Sequence, residues 1–461
     1  LQERGKPAKL GHRKSGKWNI RGKMILSADP AGREHKHRPH LPKPHLPHGL
    51  VAFPRRVSPW IEPWFLAYAC LGVVQGGMLP MLLPFSAGGS THAGIIVGVM
   101  NLTGLTAPFW GHLADRRRLH RQVLLAGMAV AVVPLVLMPL QLGLPLKATL
   151  AAILGLGFTA ANTVSNMFIV EVRPREEWDA RIGALQALSG LGQVVGLLLA
   201  GFIGGRYALA FGVAAALVAT GVSVAWRTLR GVQVPVPRAA VTAHPPIGGE
   251  GWAGSPQRHF HLPTWPGLRA LLRELNMPFV RLQIVWFVAF VAIGAVMTMF
   301  PLALVRQFGV PGGFPATTYA FAAAGSLAMF PLAVRLAQRH GARIVLQAGF
   351  AVRTVAITIL AVAFLAGTNG VPLAVAGFVV LVLAWPLLGV SGTALTAVHA
   401  PGEKGDALGV FNASSSLAAA VGAFLGGWAM ETAGYGRICV VAAAAVALAT
   451  LCCYGRTTRH G

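Results

Sequence analysis

Gly111-His112-Leu113-Ala114-Asp115-Arg116-Arg117-Arg118 stands between two long apolar runs, and Val334-Arg335-Leu336-Ala337-Gln338-Arg339-His340-Gly341 stands between two others. Set Gly111 on Val334 and the two stretches align without a gap, sharing Leu113/Leu336, Ala114/Ala337 and Arg116/Arg339. A second alignment, with one gap, lays Pro174 to Asp179, Gly183, Gln186, Gly196 and Gly201 on Pro401 to Asp406, Gly409, Asn412, Gly422 and Gly427. Basic joints repeated between hydrophobic segments read as a chain made of two copies of one multi-helix unit.

The runs on either side of these joints decide what kind of helix is repeated. The 461 residues have a mean hydropathy of +0.60, with 54% hydrophobic and only 11% charged side chains. A soluble chain carries roughly a quarter charged residues, and a helix needs about 20 apolar residues to cross a bilayer. Spans are predicted near 60–84, 93–114, 121–141, 147–171, 181–204, 207–228, 283–305, 315–336, 343–366, 371–397, 407–430 and 436–454. The predicted fold is an all-α membrane protein of twelve transmembrane helices in two pseudo-symmetric six-helix bundles, residues 56–228 and 281–455. Between them lies a Pro/Gly-rich cytoplasmic linker, 229–280, with an amphipathic surface helix expected over Gly267 to Leu275.

Residues 1–55 have a different character. Rich in Lys, Arg, His and Pro and without helical periodicity, they read as a disordered basic tail that is dispensable for insertion. The first methionine is Met24, and His35, His37, His40, His45 and His48 read as solvated rather than as a metal site. Residues 456–461 form a cytoplasmic tail.

Charge asymmetry sets the orientation. With the N-terminus inside, the inner joints and C-terminal tail hold Arg116, Arg117, Arg118, Arg121, Arg173, Arg175, Arg181, Arg335, Arg339, Arg343, Lys404, Arg456 and Arg459. The outer joints hold only Lys147, Arg206, Arg306 and Arg437, so both termini are placed in the cytoplasm. The net charge of +25 is therefore a topology signal, and nucleic acid is not an expected partner. Cys70, Cys439, Cys452 and Cys453 make no CxxC pair and lie within or beside apolar segments. Neither a metal nor a cofactor is expected.

The joint after the second span resembles that of the major facilitator superfamily, whose pattern there is Gly-x-Leu-Ala-Asp-Arg-x-Gly-Arg. Gly111, Leu113, Ala114, Asp115 and Arg116 match, while Arg118 takes the place of the second glycine. The second copy keeps that glycine as Gly341 but has Gln338 where the aspartate would be. The resemblance extends over about residues 60–454. It implies that Gly111, Asp115 and Arg116, with Arg335, Gln338, Arg339 and Gly341, form a cytoplasmic latch. Asp115 would then sit against the N-terminus of span eleven, where unpaired N–H groups attract an anion. The Gly-Pro kink of many family exporters is absent, since Leu197 follows Gly196.

Polar side chains inside spans are the candidate solute contacts. They are Gln75, Asn101, Asn162, Asn166, Gln186, Gln193, Tyr319, Trp385, Ser391, Asn412 and Ser416, each equally readable as an interhelical hydrogen-bonding group. Arg353 is the one charge at depth, read as an anion contact or as the sign of a shifted span boundary. No acidic residue falls at mid-membrane, since Glu62, Glu171 and Glu431 are at span ends, so the expected solute is neutral, amphipathic or anionic. No P-loop, HExxH helix or nucleophile elbow is present. The expected activity is secondary transport of a small organic solute by a monomeric, non-enzymatic permease of a bacterial inner membrane, with export favoured over import. The alternatives are a membrane-embedded enzyme and a transport-inactive receptor or scaffold.

Overall fold

A computed structural model describes residues 61–173, 177–230, 278–367, 370–400 and 404–454, and among them every regular element is helical. Twelve helices are long and apolar enough to cross a membrane: α1 (Phe65–Ser86), α2 (Ser90–Ala114), α3 (His120–Leu137), α4 (Leu144–Ile169), α5 (Ala180–Ile203), α6 (Tyr207–Thr228), α7 (Pro278–Phe308), α8 (Phe314–His340), α9 (Ala342–Leu365), α10 (Val371–Val398), α11 (Ala407–Thr432) and α12 (Tyr435–Cys452). The expected tail, most of the linker with its surface helix, and residues 456–461 lie outside the described residues. α7 begins at Pro278, a residue suited to a first helical turn because its missing N–H is one that the turn leaves unpaired anyway. The first helix is corrected, starting at Phe65 rather than 60.

Proline shapes the long helices. Pro80 lacks the N–H that would bond Gly76, and its ring crowds that carbonyl. The preceding turns, Gly72–Met78, widen to i→i+5 bonding and absorb the conflict. In α2, Pro108 follows a tightened turn at Thr103–Thr106, where Thr103 Oγ1 donates to the Met100 carbonyl at 2.6 Å. In α10, Pro386 follows a break at Ala384.

The helices approach through small residues, which let backbones meet where lipid supplies no hydrophobic drive. The repeat-related glycines perform matching tasks. A Cβ on Gly196 of α5 would strike the Val73 carbonyl of α1, and one on Gly422 of α11 would strike the Val291 carbonyl of α7. Gly201 of α5 meets α8, where a Cβ would stand 2.8 Å from Thr317 Cγ2. Gly427 of α11 meets α2, where a Cβ would stand 2.5 Å from the Ser90 carbonyl oxygen. The main packing between the first six spans and the last six is thus α2 on α11 and α5 on α8.

Candidate functional site

The widened stretch of α1 forms one wall of a cavity of about 450 Å³. Gln75 lies within that stretch, and α2, α4, α5, α7 and α8 complete the wall. Most of the lining is apolar, including Leu71, Leu79, Met81, Val97, Met100 and Met297. Its polar groups are Tyr68, Gln75, Asn101, Asn162, Ser189, Gln193, Thr298 and Tyr319. A hollow of this size that mixes apolar walls with fixed polar groups is a usual form of a small-molecule site.

Amides run as a ladder from this cavity toward the arginine-rich end. Asn162 Nδ2 donates to Gln75 Oε1 at 2.7 Å, and Asn166 Nδ2 reaches the Asn162 carbonyl at 3.4 Å. Gln186 Nε2 donates to Asn166 Oδ1 at 3.2 Å, with the Tyr68 hydroxyl beside it. Asn162 and Asn166 share a face because they are one turn apart. Each amide uses only part of its hydrogen-bonding capacity in these contacts.

The structure is closed at one end and open at the other. At the end away from the arginine-rich joints, a Cβ on Gly94 would stand 2.5 Å from the Ala423 carbonyl oxygen. Gly427 meets Ser90 there, and Gly201 meets Gly313. Glu431 closes this end further, accepting the Thr91 N–H at 3.3 Å and the Thr91 hydroxyl. Thr91 is in the first turn of α2, so a carboxylate from α11 caps a helix N-terminus across the interface. Contact persists at mid-depth through Gly190 on Leu327 and Gly104 on Ser416. Toward the arginine-rich end it is lost: a Cβ on Gly183 of α5 or Gly409 of α11 would meet nothing within 4 Å. Gln186 and Asn412, paired by the repeat, are both exposed.

At the arginine-rich joints, Arg116, Arg335, Gln338 and Arg339 are exposed and Gly341 ends α8. The Asp115 side chain lies outside the described residues. A Cβ on Gly111 would make only ordinary contact, 3.5 Å to Met167 Sδ. The glycine of the joint pattern has a backbone reason. Gly341 has φ +85°, and Arg118, aligned with it, also has positive φ at +53°. Arg118 thus accepts a conformation that costs an L-residue about 1–2 kcal/mol. Nearby, Glu62 accepts Arg173 Nε at 3.0 Å and Arg181 Nη1 at 2.7 Å, tying the starts of α1 and α5 to the end of α4. These arginines tie helix ends together.

The remaining candidates separate by environment. Gln75, Asn101, Asn162, Gln193 and Tyr319 line the cavity, with Asn166 and Gln186 on the ladder beside it. Ser391 is not among the lining residues: it is fully buried, and its hydroxyl has no partner. Ser416 supports the α2–α11 contact. Arg353 lies within α9, so its depth does not come from a shifted boundary. It is buried, with Cζ 5.6 Å from the Trp385 ring centroid and 5.9 Å from that of Phe290. Sequence reading missed Tyr68, Met81, Ser189, Met297 and Thr298. Tyr68 alone carried a usable signal, as a phenol within an apolar run.

No curated protein sequence matches the chain. Among solved structures it is similar to the nucleoside transporter NupG, with 11% identity, TM-score 0.66, and 86% of this chain and 99% of that one covered. A peptide transporter of the POT family in an auto-inhibited form gives 13%, 0.63, 85% and 95%. A D-xylose-proton symporter gives 16%, 0.62, 85% and 95%. Twelve helices long and apolar enough to cross a membrane make the chain an integral membrane protein. The family model described as Major Facilitator Superfamily matches residues 64–333 and 284–461, and the chain belongs to that family.

Proposed function

We propose that this transporter moves a small organic solute by alternating access, with two six-helix halves rocking about the α2–α11 and α5–α8 contacts. The observation that carries the reading is the shared interface. Its glycines are tightly packed at one end of the cavity and face open space at the other. Contacts packed at one end of a cavity, with their repeat counterparts free to be made at the opposite end, are what alternating access requires.

The cavity favours a solute with an apolar body and hydrogen-bonding edges. Gln75 and Asn162 offer amide donors and acceptors, while the methionines and leucines adapt to shape. The open end carries the arginine-rich joints, which the positive-inside bias assigns to the cytoplasm. Loading from that side suits export, the direction we propose.

The test begins with a thermal-shift screen of the purified full chain against small organic compounds. Each hit is then taken into proteoliposomes for initial-rate flux. Net movement of a hit, lost in Asn162→Leu at equal reconstitution, supports the reading. Hits that bind but are not moved in either direction would assign a receptor instead.

A further inference from the structure

Arg353 takes no part in the amide ladder, and its surroundings give it a different use. It is the twelfth residue of α9 and only 3% exposed. Its Nε has no hydrogen-bond partner, and the ion pairs among the described residues involve other arginines. A buried guanidinium without a counter-charge is costly, and two cation–π contacts return only part of that cost. A purely structural role would be served better by an apolar side chain of the same length.

The neighbours point toward the translocation path. Phe290 of α7 meets Trp385 of α10 edge-on at 5.8 Å between ring centroids, so the pair bridges two helices over the guanidinium. Trp286 stacks on Phe290 at 4.0 Å and stiffens that side. Trp385 is 39% exposed while the charge it covers is buried. Tyr319, the ionisable group that interacts with Arg353, also lines the central cavity.

We propose that Arg353 is the head-group site for an organic monoanion, a carboxylate on an apolar or aromatic body, admitted from the cavity when Trp385 swings aside. This rests on the transport reading for its cargo and adds its chemical class. The guanidinium fork suits a carboxylate in bidentate fashion, and the released Trp385 and Phe290 rings would flank the apolar body.

The experiment uses the purified full chain in nanodiscs at constant chloride, reading melting midpoint and tryptophan fluorescence. The probes are matched carboxylate and carboxamide pairs: benzoate with benzamide, phenylacetate with phenylacetamide, and octanoate with octanamide. At least one carboxylate is expected to raise the midpoint and change the fluorescence with saturation, at least tenfold more tightly than its amide. Arg353→Gln should abolish the response, and Arg353→Lys should retain a weaker one. Arg353→Met should melt at or above wild type, because no partner is stranded. Equal responses to acid and amide, a response intact in Arg353→Gln, or silence from all three carboxylates each overturn the proposal. So does a marked loss of stability in Arg353→Met, which would mark a structural role. If titrated potassium chloride reproduces the whole response and the carboxylates add nothing, the site is an inorganic-anion site and the proposal is wrong. Saturable carboxylate binding without flux in proteoliposomes would overturn the transport reading while leaving this site standing.

Discussion

Replacing Gly427 with alanine should force open the end that is closed in this structure. The new Cβ would stand 2.5 Å from the Ser90 carbonyl oxygen, 2.8 Å from Gly94 Cα and 3.0 Å from Gly94 N, all backbone atoms of α2. Ordinary contact begins near 3.4 Å, so the helices must part by almost an ångström. Overpacking of this kind costs about 1–3 kcal/mol. The gain in helix propensity on replacing glycine, about 1 kcal/mol, applies in either conformation and cancels. The clash acts only when this end is closed, so the conformer open there should gain about 5- to 150-fold in population. The assay places one reporter, Asn101→Cys, on the cavity wall of a chain whose four native cysteines are serine. A membrane-impermeant maleimide is added on the side away from the arginine-rich joints. Labelling should be at least fivefold faster with Gly427→Ala than without it. Gly212→Ala, where a Cβ meets nothing within 4 Å, is the control and should leave the rate unchanged. Equal rates for Gly427→Ala and its parent would refute the reasoning, as would acceleration by the control.

The repeat predicts the converse at the open end. Gly183→Ala and Gly409→Ala should hinder closure beside the arginines and slow labelling in the same assay. Glu431→Gln should speed labelling by removing the charge from the α2 cap, and adding Thr91→Ala should then have little further effect, because the two groups act as one contact. Arg118→Gly should raise thermal stability by about 1 kcal/mol, since glycine accepts positive φ without the steric cost, and an unchanged or lower melting midpoint would contradict that. Glu62→Gln should lower stability by about 1–2 kcal/mol in a denaturation curve, since two arginine contacts lose their charged acceptor and one of the pairs is largely sheltered from water.

Much of the fold was legible because a bilayer leaves few options. An apolar run must be helical to satisfy its backbone, so hydropathy and joints located all twelve spans. The amides Gln75 and Asn162 were legible for the same reason, because each is costly in an apolar run unless it finds a partner or a cavity. Hydroxyls were less informative. Ser415, Thr354 and many others bond a carbonyl one turn back in their own helix, so Ser391 and Ser416 could not be told apart from cavity groups by sequence. Methionines and Thr298 left no signal, since an apolar or small side chain reads the same against lipid, core or cavity. Arg353 was legible in depth but not in direction. Only the contacts with Phe290 and Trp385 show that it turns inward.

The least legible property was conformational state, and the repeat shows why. A glycine inside a helix costs roughly 1 kcal/mol relative to alanine, so each one needs a use. Gly201 and Gly427, paired by the repeat, have theirs in this structure, where they let helices touch at the closed end. Gly183 and Gly409 are paired in the same way and lie about five turns earlier on the same two helices, where a Cβ would meet nothing within 4 Å. Open space alone does not carry the argument, since Gly212 is equally free and the repeat gives it no glycine partner. The recurrence of the pair on the two helices that form the interface does carry it. The proposed alternating access would supply the missing use: as the halves rock, the packed pair would separate and the free pair would meet. A sequence serving two conformations carries the contact residues of both, whereas one structure displays only half of them. The latch expected at the arginine-rich joints would belong to the other half, and Glu431 on the α2 N-terminus uses the chemistry expected of Asp115 at the end that is closed here.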